Sequence, residues 1–161
     1  MRLLIFFVAM ASFIATACAA EPVLSWDSYG NIKFGERLSD IEKKLGEKAT
    51  ADEGEEDCKY VHFKKFPKIS FMVEDGILSR ADAATGVPNS LGIHAGTRME
   101  DVKKKYPKIL VEPHHYDDSG FYLITKNKKG SKAIVMEVGD GRVTEIRAGL
   151  EPSVEYVEGC L

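Results

Sequence analysis

"GERLSDIEKKLG" (35–46) returns 61 residues downstream as "GTRMEDVKKKYP" (96–107). Ile32 meets Ile93 in this register. Gly35 meets Gly96, Arg37 meets Arg98 and Asp40 meets Asp101. Lys43-Lys44 meets Lys104-Lys105, and the breaker Gly46 meets the breaker Pro107. Each phrase has helical period: Leu38, Ile41 and Leu45 share one face, as do Met99, Val102 and Tyr106. Asp40 to Lys44 and Asp101 to Lys105 are i,i+4 pairs in the favourable order. The run Lys103–Lys105 therefore reads as a solvated helix face. Ser39-x-x-Glu42 and Thr97-x-x-Glu100 both read as capping boxes, although they sit at different places in the two phrases.

Further along, the offset grows by a few residues. "FMVEDGILSRADA" (71–83) then lies on "MEVGDGRVTEIRA" (136–148), and both carry Asp-Gly between strand-like runs, a strong short hairpin signal. Strands are expected at about 58–64, 68–74 and 77–83, then at 109–115, 120–126, 132–138 and 142–149, with "SVEYVEGC" (153–160) as a last strand. "ATGVPNSLG" (84–92) reads as the joint. The expected architecture is an α+β fold. Two tandem strand–helix–antiparallel meander units, 21–84 and 85–161, share or pair their sheets. One unit of about 60 residues makes a marginal core, and two set together make a larger one.

The first twenty residues read as a secretory signal peptide. Met1-Arg2 precedes the apolar run "LLIFFVAMASFIATA", and "ACAA" supplies small residues before Glu21. Two processing routes compete: ordinary cleavage after Ala19 or Ala20, or acylation of Cys18 in a weak lipobox. The protein is thus expected in the periplasm or secreted, with a lipid anchor at Cys18 as the alternative. Excision removes one cation, Arg2, and takes the formal net charge from −3 to −4. A mildly acidic chain carries no electrostatic footprint for nucleic acid. No later stretch is apolar enough to span a bilayer. Of three cysteines, Cys58 and Cys160 remain, and two thiols in an oxidising space are expected to form a disulfide.

The phrase Ile-x-Phe-Gly, with Ile six residues after the glycine and then Leu-Gly, occurs at 32–46. It recurs at 93–107 with Ala95, Tyr106 and Pro107 as departures. This unit resembles those of small outer-membrane lipoproteins of the SmpA/OmlA type, and its tandem use resembles the β-lactamase-inhibitor-protein-like fold. The resemblance spans 31–150 as a unit pattern. It implies an envelope binding module, an inhibitor of a secreted enzyme or an accessory part of a membrane assembly. It carries over no catalytic or contact residues.

"EPHHYDDSGFY" (112–122) is the most chemically loaded stretch. On a strand, His114 and His115 would point to opposite faces, which disfavours a shared metal. No zinc-ligand spacing occurs, and no metal or cofactor is expected. His114, His115, Tyr116, Ser119 and Tyr122 are instead candidate partner-contact residues, because Tyr and His supply amphipathic surface at low entropic cost. Ser119-Gly120-Phe121-Tyr122 also resembles the Ser-Gly-x-Tyr signature of bacterial periplasmic lysozyme inhibitors. No nucleophile elbow or phosphate loop appears. The expectation is a non-catalytic envelope module that binds a protein partner. The alternative is an inhibitor of a cell-wall hydrolase acting through 119–122. The lysine-rich turns "KKFPK" (64–68) and "KNKKGSK" (126–132) read as protected strand edges, or as a basic rim for an acidic partner or anionic glycan.

Overall fold

The computed structural model describes residues 21–53 and 57–160. The expected signal peptide and Cys18 lie outside the described residues. A short hairpin, β1 (Ser28–Tyr29) and β2 (Ile32–Lys33), leads into helix α1 (Leu38–Leu45). Strands β3 (Thr50–Ala51), β4 (Cys58–His62), β5 (Ile69–Glu74) and β6 (Ile77–Ala83) follow. Helix α2 (Met99–Lys105) then precedes β7 (Leu110–Pro113), β8 (Phe121–Lys126), β9 (Lys132–Gly139) and β10 (Arg142–Leu150). All eight strands after α1 join one antiparallel sheet in the order β3-β4-β5-β6-β10-β9-β8-β7. The centre of that sheet is the β6–β10 seam, where Ala81 faces Ala148 and Arg80 faces Gly149.

The expected α+β class is corrected to a mostly β architecture. The helices hold only eight and seven residues, against an eight-stranded and a two-stranded sheet. The helical phrases were strong periodic signals but cover little. From α1 and α2 only Ile41, Leu45 and Val102 are buried. Most of the cover comes from non-helical residues: Leu24, Tyr29, Ile32, Phe34, Val87, Leu91 and Ile93.

The capping boxes are also corrected. Both helices start one residue after an arginine, Arg37 and Arg98, with no side-chain cap. The Asp-Gly turns do the work instead. Leu38 N donates to Gly76 O, and Met99 N donates to Gly141 O, both at 2.9 Å. Each helix therefore has an orphan N–H satisfied by the hairpin of its own half. Gly35 N to Leu78 O and Gly96 N to Val143 O reinforce the contact. The turns themselves have positive φ at Asp75, Gly76, Asp140 and Gly141, as a type I′ hairpin requires.

Period-two alternation divides the sheet into two faces. On the first face, cross-strand rows such as Val61–Phe71–Ala81–Ala148–Ile134 sit under the helices and the β1–β2 hairpin. The second face carries Tyr60–Met72–Arg80–Gly149–Ala133 and Ser70–Asp82–Arg147–Val135–Ile124. No helix covers it. The segment after β10 does. The expected last strand at 153–160 is corrected to a 3-10 turn, Ser153–Glu155, and an irregular tail. It ends at the Cys58–Cys160 disulfide, whose Cα atoms lie 5.3 Å apart.

Candidate functional site

The C-terminal segment crosses the second face as a strap. Val154 is fully buried and joins a small apolar cluster with Tyr122, Ile124, Ala133 and Val135. Two arginines from the sheet hold its backbone. Arg147 Nε donates to Val154 O at 2.8 Å, and Arg80 Nη1 donates to Tyr156 O at 2.6 Å. Both are nearly inaccessible, at 3% and 5% exposure, so their charges need partners. Arg147 is paired with Glu137. Arg80 donates through Nε and Nη2 to Asp82, with the shorter bond 2.6 Å. At the strap's start Lys126 lies 3.1 Å from Glu151 and 2.8 Å from Glu155. The bond to Glu155 pushes the Lys126 ammonium above its usual range. Burial pushes the Glu151 carboxyl upward.

The β7–β8 loop is built against this strap. His114 and His115 lie beyond the end of β7, so the strand geometry expected for them does not apply. His114 Nδ1 accepts from the backbone N–H of Tyr116 and of Asp117, both at 3.1 Å. The proton therefore sits on Nε2, which faces Glu137 Oε2 at 3.7 Å. Its ring stacks on Tyr122, with centroids 4.6 Å apart and planes at 22°. His115 lies tilted against the same ring at 5.8 Å. Asp117 Oδ1 accepts from the Ser119 hydroxyl and backbone, closing an Asx turn. Those bonds hold the Asp117 carboxyl below its usual range. Tyr116 is 70% exposed, yet its hydroxyl donates to Glu158 of the strap. That bond raises the phenol's pKa.

Four of the five candidate contact residues thus belong to a loop pinned at several points, and the fifth underlies it. Tyr122 is 4% exposed and lies within β8. Its buried hydroxyl has no hydrogen-bond partner among the described residues. Burial raises its pKa. Gly120 is also buried, and a Cβ there would come within 2.9 Å of the His114 Cβ and 3.0 Å of the Val138 carbonyl. Ser119-Gly120-Phe121-Tyr122 is therefore a packing element with one exposed residue, Ser119. A small cavity of about 120 Å³ remains between this loop and the strap, lined by Glu112, His115, Tyr122, Arg147 and Glu155.

The buried arginines were missed at sequence level. They alternate with apolar neighbours in "SRADA" (79–83) and "EIRAG" (145–149), a pattern that also suits a solvent-facing strand surface. The strap that covers them ends at the Cys58–Cys160 disulfide. Among the described residues no group of three or more His, Cys, Asp or Glu could hold a metal ion. No helix among them is long and apolar enough to cross a membrane.

No family description and no curated protein matches the chain. Among solved structures, the chain is similar to an extracellular protein containing an SCP domain from Bacillus anthracis. The identity is 12% over 73% of this chain and 44% of that one, with a TM-score of 0.47. It is also similar to a cysteine-rich secretory protein from Staphylococcus aureus, at 14% identity over 86% of this chain and 53% of that one, with a TM-score of 0.49. The chain spans about half the length of these two proteins.

Proposed function

We propose that the protein is a non-catalytic binding module of the bacterial envelope, which holds a protein partner against the rim made by the β7–β8 loop and the C-terminal strap. One observation carries this reading. Among the described residues Tyr116 is the most exposed large hydrophobic side chain, at 70%, and its position is fixed by Glu158 and by the His114-centred loop. Tyr156 on the strap is 41% exposed. Aromatic side chains presented on a pre-ordered loop lose little entropy on binding, so contact area converts more fully into affinity. The apolar run at 1–20, the disulfide and the likeness of 32–46 and 93–107 to SmpA/OmlA-type units support the envelope assignment.

Photocrosslinking tests the rim. A benzophenone side chain is placed at Tyr116, at Tyr156 and, as a control, at Lys103 on the exposed face of α2. In an extract of the envelope, 116 and 156 are expected to capture the same protein and 103 is not. Failure of 116 and 156 to capture any protein, or an identical pattern from 103, would remove the proposal.

A further inference from the structure

The lysine turn between β8 and β9 borders an open concavity of about 600 Å³. Its floor is Trp26, the chain's one tryptophan. The indole Nε1 donates to the carbonyl of Thr125 at 3.0 Å. That bond fixes a half-buried ring beside β8. The walls are cationic: Lys126, Lys128, Lys129 and Lys132, against one carboxylate, Asp27. Lys132 is tied to Asp27 at 3.0 Å, and Lys126 to the strap's Glu151 and Glu155. Lys128 and Lys129 are exposed and have no ion-pair partner among the described residues. The turn that carries them is rigid. Asn127 Oδ1 accepts from Ser131 N at 3.0 Å, and Gly130 N donates to Asn127 O at 3.0 Å.

We infer that this groove is a binding site for an anionic saccharide, with a sugar ring stacked on Trp26 and its acidic substituent held by Lys128 and Lys129. Three features lead there. A half-buried indole that lines the groove offers aromatic surface against which the C–H face of a sugar ring can pack. Two unpaired ammonium groups on a fixed turn form a localised positive site on a protein whose net charge is −3. The volume is large enough for one or two sugar rings. The turn at 64–68 is also lysine-rich, but no tryptophan adjoins it, so a bare protected edge explains it fully. The groove at 126–132 adds the aromatic floor, and edge protection does not call for one.

Trp26 is itself the reporter. Its fluorescence is titrated with tri-galacturonate, with neutral chitotriose and with inorganic phosphate, on the full mature protein at low salt. A saturable quench or shift with tri-galacturonate is expected, weakened several-fold by 0.3 M salt. The pair Lys128→Gln/Lys129→Gln is expected to weaken it at least tenfold, with unchanged circular dichroism and an unchanged Trp26 spectrum in the free protein. Lys103→Gln/Lys104→Gln on α2 controls for general charge and is expected to leave it intact. Three results would overturn the inference: no saturable change up to millimolar tri-galacturonate, an equal response to chitotriose, or full retention in the 128/129 variant. An equal response to inorganic phosphate would overturn it too, because the sugar ring would then contribute nothing.

Discussion

Arg147 Nε donates to the carbonyl of Val154 at 2.8 Å, so a guanidinium buried at the centre of the sheet holds down the backbone of the C-terminal strap. The same guanidinium is paired with Glu137 and lies 5.6 Å from the Tyr122 ring centre. Glu137 in turn faces His114, which organises the β7–β8 loop. Sheet, strap and loop are therefore one connected polar network.

Breaking that network from one side should cost more than removing it whole. Arg147→Met leaves Glu137 without its cation in a largely closed site. The expected loss is about 2–4 kcal/mol. Arg147→Met/Glu137→Met is expected to recover at least half of it. Urea denaturation of the single and double variants checks both. A single variant as stable as the wild type would contradict the network.

The strap's covalent end gives a second expectation. Cys58 and Cys160 are separated by 102 residues in sequence. A loop near that length stabilises by ~4.7 kcal/mol in the chain-entropy treatment. Cys58→Ser/Cys160→Ser is expected to lower stability by about 3–5 kcal/mol, measured against the oxidised protein without reductant. A reductant should then change the wild type and leave the variant unaffected.

Gly159 is required where the strap reaches β4. Its φ is +66°, and a Cβ there would sit 2.3 Å from the Tyr60 hydroxyl oxygen. Gly159→Ala is expected to cost about 2–4 kcal/mol, from the left-handed backbone and the overlap together. Tyr60→Phe in the same chain removes the clashing oxygen and should return part of the loss. The thermal midpoints of the three variants decide this.

The surroundings of α1 give a pH dependence. The hydrogen bond from Lys48 holds Glu42 below its ordinary value of 4.5, and the Ala49 N–H adds to it. Burial raises Glu36, but the Lys44 ammonium outweighs it and the net shift is downward. A carboxyl lowered by folding stabilises above its unfolded pKa, and loses that contribution as pH falls through its folded value. Stability is therefore expected to decline below about pH 4.5. Glu42→Gln should be less stable than wild type at pH 7 and nearly equal to it at acid pH. A gap that persists unchanged at pH 3 would contradict the assignment.

What the sequence made legible follows from periodicity. The pair Asp75-Gly76 and the pair Asp140-Gly141 are hairpin turns with the positive φ that their residues suggest. The apolar stripes Ile41–Leu45 and Val102 mark the helices. Cys58 and Cys160 meet. The class was misread because periodicity reports that an element exists, not how much surface it covers. Two helices of this length leave most of the first face to loops. The second face was illegible for a different reason. Arg80, Asp82, Glu137 and Arg147 alternate as solvent residues do, yet Arg80 and Arg147 are buried beneath the returning strap and Asp82 and Glu137 are half-buried beside them. Tyr122, a candidate contact residue by its chemistry, is 4% exposed and its ring stacks on His114. "SVEYVEGC" alternates like a strand, but its carbonyls at 154 and 156 are taken by side chains instead of a neighbouring strand.

Hydrogen–deuterium exchange of the wild type and of Cys58→Ser/Cys160→Ser tests most directly whether the closed strap is what orders the exposed loop. The amides of Tyr116, Asp117, Ser119 and Gly120, each hydrogen-bonded inside the loop, are expected to exchange at least tenfold faster in the variant. Those of Phe71, Leu123 and Ile134 on the first face should keep most of their protection. Loop amides that exchange at wild-type rates while the strap is free would contradict the account.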